Sequence, residues 1–283
     1  NVYVADVWNK RIQKFDSMGN FISKWGSQGS GDGQFMNPEQ AAIDGSGNIY
    51  VTEGVLKRIQ KFDKNGVYLG KWGSLGIGDG QFKILSGIAT DNVGNVHVSD
   101  SENKRVQNFD TDGRFYSSWG SQGAEDGQFN FPKGIATDSK NNIYIADSGN
   151  SRIQKFSSNG NFIIKWSTQT SNQLIGKDPR NLAIDTAGNV YVADISNNGI
   201  RKFDSNGNLI TEWGSGGSEN SQFFSPKGIA LDSAGNVYVA DAGNYRIQKF
   251  NSKGTYLSQW GSYGEGYGRF DVCVLHLIIK FPF

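Results

Sequence analysis

Residues 226–261 decide the fold. They read Pro226-Lys-Gly-Ile-Ala-Leu-Asp232, then Gly235-Asn-Val-Tyr-Val-Ala-Asp241, then Asn244-Tyr-Arg-Ile-Gln-Lys-Phe250, then Gly254-Thr-Tyr-Leu-Ser-Gln-Trp-Gly261. Four short apolar stretches are parted by turn chemistry. Asp232-Ser-Ala-Gly-Asn236 here, and Asp204-Ser-Asn-Gly-Asn208 just upstream, put Gly and Asn where a tight hairpin needs positive φ. The second stretch is apolar at nearly every position instead of alternating, as expected of a strand covered on both faces.

Outward from this stretch, Asn236-Val-Tyr-Val-Ala-Asp241 has counterparts starting at Asn1, Asn48, Asn95, Asn142 and Asn189, each 47 residues after the last. The same interval links Phe15, Phe62, Phe109, Phe156, Phe203 and Phe250, and then Trp25, Trp72, Trp119, Trp166, Trp213 and Trp260. Six repeats of 47 residues, with phases starting at 1, 48, 95, 142, 189 and 236, fill residues 1–283 but for the last. A single all-β domain follows, a six-bladed β-propeller of four-stranded antiparallel blades, each blade sandwiched between two others. No segment has helical period, which removes a helical solenoid.

The pattern Pro-x-Gly-Ile-Ala-x-Asp, Gly-Asn-x-Tyr-Val-Ala-Asp, Asn-x-Arg-Ile-Gln-Lys-Phe and Gly-x-Phe-x-x-x-Trp-Gly resembles the NHL repeat, most fully at 226–261. That resemblance implies a closed ring, and near-identical copies with short turns look most like the prokaryotic members, often secreted or at the cell surface. Because the chain opens at a second strand, in mid-repeat, it reads as starting at a fragment boundary. The closing blade is then shared between the N- and C-terminus, which removes open sheet edges. Residues 271–283 leave the pattern: Leu275-His-Leu-Ile-Ile279 stands where another Gly-Ile-Ala-x-Asp belongs. A degenerate closing strand is the preferred reading of this apolar tail, and an unrelated appendage its rival.

Composition limits the chemistry. With 28 Lys+Arg against 27 Asp+Glu the net charge is +1, so no DNA partner is expected, and no uninterrupted apolar run approaches the roughly 20 residues of a membrane span. One Cys forbids an internal disulfide, a Cys-rich zinc site and a CxxC centre, and two His forbid a three-histidine metal site made by this chain alone. No catalytic, cofactor-binding or metal-binding residue is assigned. The six repeated Trp are read as packing between blades. Asp6, Asp100, Asp147, Asp194 and Asp241 opposite Arg11, Arg105, Arg152 and Arg246 are read as pairs that fix a loop, and His97 in a Tyr slot as a core substitution. Gly31-Asp-Gly-Gln-Phe35 resembles a phosphate loop only superficially, since no helix follows it. Cys273 and His276 receive no role.

A non-symmetric partner has to use what breaks the symmetry. Trp8 is the one Trp outside the repeat. Lys10, Lys57 and Lys104 share one slot in three consecutive blades, opposite Ser151, Asn198 and Tyr245, so one side of that loop face is expected to be basic. Trp8, Lys10, Lys57, Lys104 and Tyr245 are the candidate partner-binding residues. The reading is a monomeric, non-catalytic scaffold for a protein, a peptide or an anionic glycan. RNA is the alternative, as in NHL propellers that accompany a ubiquitin-ligase module, although one Cys cannot build that zinc module here. A lyase- or lactonase-like enzyme is disfavoured by the His count.

Overall fold

The computed structural model describes residues 1–168 and 178–270, with the backbone of 277–279. Five blades are continuous in sequence. Blade 1 runs Pro38–Ile43, Ile49–Glu53, Arg58–Phe62 and Tyr68–Trp72; blade 2 runs Leu85–Thr90, Val96–Asp100, Arg105–Phe109 and Phe115–Trp119. Blade 3 is Pro132–Thr137, Ile143–Asp147, Arg152–Phe156 and Phe162–Ser167, and blade 4 is Pro179–Ile184, Val190–Asp194, Gly199–Phe203 and Leu209–Trp213. Blade 5 is Pro226–Leu231, Val237–Asp241, Arg246–Phe250 and Tyr256–Trp260. Each is a four-stranded antiparallel sheet in chain order, the first strand innermost.

The sixth blade joins the two ends of the chain. Val2–Asp6, Arg11–Phe15 and Phe21–Trp25 form its outer three strands, and Leu277–Ile279 pairs antiparallel with the first of them, Val2 opposite Ile279 and Val4 opposite Leu277. The shared closing blade expected from the phase of the repeat is therefore present in the backbone. Cys273 and His276 lie outside the described residues.

Burial follows the sequence pattern. Second strands such as Val237–Asp241 are buried at every position, whereas fourth strands such as Tyr256–Trp260 alternate between half-buried and exposed, having solvent on the outer side. Between blades the repeated Trp lies on a glycine of the next blade's outer turn. A Cβ on Gly66 would stand 2.6 Å from the Trp25 ring, and one on Gly207 2.5 Å from that of Trp166. Both glycines also hold positive φ, +87° in each case, so no other residue fits the turn without displacing the indole. The ring closes by the same contact, Trp260 against Gly19. Phe15 adds ring contacts to Trp260 and Phe270, at centroid distances of 6.1 and 5.9 Å.

Two ends of the propeller result. The Asp-x-x-Gly-Asn turns form one, and there the inner strands enclose a cavity of about 470 Å³, lined largely by Ile, Leu and Ala. The other end carries the loops after each second strand and the long loops after each Trp-Gly. This end is the loop face.

Candidate functional site: the loop face and the channel mouth

The loop face is held rigid by a buried polar network repeated from blade to blade. In blade 5, Asp241 accepts hydrogen bonds from Arg246 Nε at 2.8 Å, Asn244 Nδ2 at 2.9 Å and Gln248 Nε2 at 3.1 Å. Arg246 Nη2 then donates to the carbonyls of Glu219 and Gln222 in the loop arriving from blade 4. Blades 1, 3 and 6 repeat this with Glu53–Arg58, Asp147–Arg152 and Asp6–Arg11. In blade 6 the arrangement also locks the ring, because Arg11 and Gln13 grip the carbonyls of Glu265, Gly266 and Arg269. The pairs Asp6–Arg11, Asp147–Arg152 and Asp241–Arg246 thus fix a loop, as their spacing implied, and tie one blade to the next; Arg105 Nε stands 3.7 Å from Asp100, and Asp194 faces Gly199 instead of an Arg.

The glycine-rich loops fold on themselves. Gly31 N–H donates to Gln34 Oε1 at 3.0 Å, Gly78 N–H to Gln81 Oε1 at 3.0 Å, and a parallel bridge ties the loop's base, Gln28 with Phe35 in the first and Ser74–Leu75 with Gln81–Phe82 in the second. Their amides point at their own glutamine, so they make no phosphate cradle.

The candidate partner-binding residues differ in exposure and contacts. Trp8 is 60% exposed, and Lys10 Nζ lies 5.4 Å from its ring centroid. Lys57 is half-buried. Lys104, expected to complete a basic half-face, is only 8% exposed: its ammonium donates to Ser101 O at 3.0 Å and sits 3.2 Å from the centre of the Phe131 ring. Burial lowers its pKa from the ordinary lysine value. The shared slot explains the difference. Lys10, Lys57 and Lys104 all hold φ near +55°, as do Ser151 and Tyr245, so the backbone aim is common and the neighbour decides where the side chain goes. Only blade 3 offers a Phe at the receiving position, Phe131. Tyr245 packs edge-on against Tyr263, with centroids 5.1 Å apart.

Trp25, Trp72, Trp119, Trp166, Trp213 and Trp260 are packing bodies. Their indole N–H groups are buried with no hydrogen-bond partner, and five of the rings meet a Tyr of the second strand edge-on, as Tyr238 meets Trp260 at 6.0 Å. The exception is Trp119, in whose blade His97 replaces Tyr. The Tyr slot elsewhere carries a lysine over the ring, Lys249 over Tyr238 for one. In blade 2 that lysine is Asn108, whose Oδ1 lies 2.7 Å from His97 Nδ1. A core substitution and its partner occur together: the imidazole and the Asn108 amide share a hydrogen bond where the other blades place an ammonium over a Tyr ring.

Sequence reading missed a cluster at the channel mouth. The slot that is x in Pro-x-Gly at Lys133 and Lys227 holds Glu39, Ser86 and Arg180 in blades 1, 2 and 4, and these five side chains converge around a pocket of about 300 Å³. Asp178 bridges two of them, 2.6 Å from Lys133 Nζ and 3.3 Å from Arg180 Nε. Burial raises the pKa of Glu39, against a hydrogen bond from Asn37 and the charges of Lys57 and Arg180. The signal was present in the sequence, because three basic residues recur in one slot at the repeat interval; it was passed over as the variable letter of a motif.

Among the described residues no group of three or more His, Cys, Asp or Glu is placed to hold a metal ion, and no helix is long and apolar enough to cross a membrane.

Comparison with known proteins agrees with this architecture. A model described as NHL repeat matches residues 129–156 and 223–250, one described as 6-bladed beta-propeller matches 1–73, and one described as beta-propeller repeat matches 165–193. No curated protein matches the sequence. Among solved structures, a protein of unknown function from Bacteroides caccae superposes with a TM-score of 0.68 at 14% identity, covering 99% of this chain and 98% of that one. A nidogen/laminin complex gives 0.67 at 15% identity, with 99% of both chains covered. A catalytically inactive virginiamycin B lyase from Staphylococcus aureus with quinupristin gives 0.61 at 16%, covering 87% of this chain and 76% of that one. At such identities the likeness is one of fold. The fold, the repeat register and the family models agree: the chain is a six-bladed β-propeller, with NHL repeats matched at residues 129–156 and 223–250.

Proposed function

We propose that this propeller is a non-catalytic binding platform that engages a protein partner through its loop face. The observation that carries this is where the exposed aromatics lie. Trp8, Phe131, Phe224, Tyr263 and Tyr267 all sit on loops of that face, and among the described residues only Tyr116 is an exposed aromatic elsewhere. Val55, Leu75 and Ile77 add exposed aliphatic surface beside them. Large amphipathic rings on a rigid support are the side chains that dominate protein interfaces, and a pre-ordered backbone spares the ordering cost of association.

The non-catalytic part rests on the carboxylates. Asp6, Glu53, Asp147 and Asp241, at the ends of second strands, are engaged by the clamp that holds a loop, which leaves them bonded to structure instead of poised for proton transfer. A propeller of similar fold was solved in a nidogen/laminin complex, which supports the reading by analogy alone. A net charge of +1 and the inward turn of Lys104 weigh against RNA and anionic glycans.

The test is quantitative capture on three immobilised proteins: wild type, a loop-face variant (Trp8→Ser, Phe224→Ser, Tyr267→Ser) and a turn-face control (Met18→Ser, Val67→Ser, Val93→Ser). Protein partners lost from the loop-face variant and kept by the control are the expected result. Partners retained by the loop-face variant, or recovered only when RNA is left intact, would overturn it.

A further inference from the structure

The mouth of the central channel has donors that structure does not use. Lys133 is committed to Asp178, and Arg180 gives its Nε to the same carboxylate. The terminal amino groups of Arg180 make no hydrogen bond among the described residues, and Lys227 Nζ makes neither a hydrogen bond nor an ion pair there. Both side chains line the pocket of about 300 Å³, near the lower end of the volumes that hold small ligands. Opposite them the wall is apolar: Ile84 and Leu85 from blade 2 and the ring of Phe131. The hydroxyls of Ser86 and Ser101 lie 2.6 Å apart, and Ser101 also donates to Pro132 O, so they are already satisfied.

We propose that this pocket binds a single carboxylate carried on an apolar group, the carboxylate between Arg180 and Lys227 and the apolar group against Ile84, Leu85 and Phe131. Lys133, Arg180 and Lys227, with Lys57 acting on Glu39, outnumber the carboxylates Asp178 and Glu39, so the mouth favours an anion. The apolar wall beside it favours an anion carried on an apolar body over free phosphate. A carboxylate also matches the planar fork that a guanidinium presents, with the ammonium as a second, point-like donor. The same chemistry occurs at a peptide C-terminus and in a free hydrophobic acid. Phe131 is shared with the partner-binding reading, but no residue of this pocket is altered in the capture variants, so the two tests fail separately.

The probe is N-acetyl-phenylalanine, titrated calorimetrically into wild-type protein beside N-acetyl-phenylalaninamide and inorganic phosphate. Saturable binding of the acid alone is expected. Lys227→Met is expected to weaken it about tenfold, the scale of one charge-assisted hydrogen bond, at unchanged melting temperature. Glu39→Gln is expected to tighten it about threefold by removing a like charge from the mouth. A short peptide ending in free Phe assigns the source: tighter binding than the acid points to a chain terminus, equal binding to a free acid, and both support the site. Binding of the amide as tight as the acid, competition by phosphate at equal concentration, no saturation by any probe, or an unaltered affinity in a folded Lys227→Met protein would each overturn it.

Discussion

Blades 4 and 5 are copies of one repeat that differ in the residues of the clasp. In blade 5 the loop entering from blade 4 carries Ser221-Gln-Phe223, and Arg246 and Gln248 clasp it, with Gln248 Nε2 2.7 Å from Gln222 O and Ser221 N–H donating to Gln248 Oε1. The loop entering blade 4 lacks the Gly-Asp-Gly-Gln-Phe core, and the clasp residues change with it. Gly199 stands where the other blades have Arg, and the guanidinium moves two residues along the strand to Arg201. There it stays buried, 3.7 Å from Asp194 and 3.2 Å from Glu212, and donates to Thr168 O. Loop and clasp behave as one unit although some thirty residues separate them in sequence. Asp194 bears the consequence: burial raises its carboxyl above the ordinary value, only partly opposed by Arg201.

The largest expected effect tests whether the clasp stabilises the blade. Asp241 is fully buried, so Arg246→Met strands an unpaired carboxylate and frees loop carbonyls, at an expected cost of about 3–5 kcal/mol. Arg105 offers the internal contrast. Its Nε is 3.7 Å from Asp100 and has no hydrogen-bond partner, its contacts being those of Nη2 to the Gly78 and Gln81 carbonyls. Arg105→Met is therefore expected to lose less. Equal losses in denaturant titrations would show that the Asp–Arg bond contributes nothing beyond the loop contacts.

A second effect separates the two kinds of tryptophan. Trp166 is 9% exposed and packs on Gly207, Tyr144 and Phe203 across the seam of blades 3 and 4. Trp166→Ala is expected to cost about 3 kcal/mol through the cavity it leaves. Trp8→Ala, at a loop tip, is expected to stay within about 0.5 kcal/mol of wild type. Thermal melts with similar losses for the two variants would contradict the division into packing rings and exposed rings.

How far the sequence could be read follows from the range of each interaction. The strands, hairpins and blade count rest on neighbours within one repeat, where Gly and Asn fix the turns and Val-Tyr-Val-Ala marks a doubly covered strand. The closing blade rests on phase alone, so it too was legible. Lys104 was not, because its direction depends on Phe131, in the next blade, under a backbone shared with Lys10 and Lys57. The channel mouth was hidden for a related reason. Lys133, Arg180 and Lys227 lie 47 residues apart and meet only when the ring closes.

The smallest effect compares two outer turns, and acid is the lever. In blade 4, Asp204 accepts from the backbone N–H groups of Asn206 and Asn208 at 2.9 Å and from Asn208 Nδ2 at 2.7 Å. In blade 5 neutral Asn251 fills the same place and accepts from Lys253 and Thr255 N–H at 3.0 Å. The side-chain bond from Asn208, followed by its backbone bond, holds the Asp204 carboxyl below the usual carboxylate range. A depressed folded pKa contributes stability that is present above the unfolded value, about 3.9, and is lost as pH falls through the folded value. Asp204→Asn turns the blade 4 turn into the neutral kind. The variant is expected to melt slightly below wild type at neutral pH, with the gap closing as pH falls below about 4. A gap that persists unchanged into strong acid would mean that Asp204 acts by shape, as Asn251 does, and that its charge adds nothing to the turn.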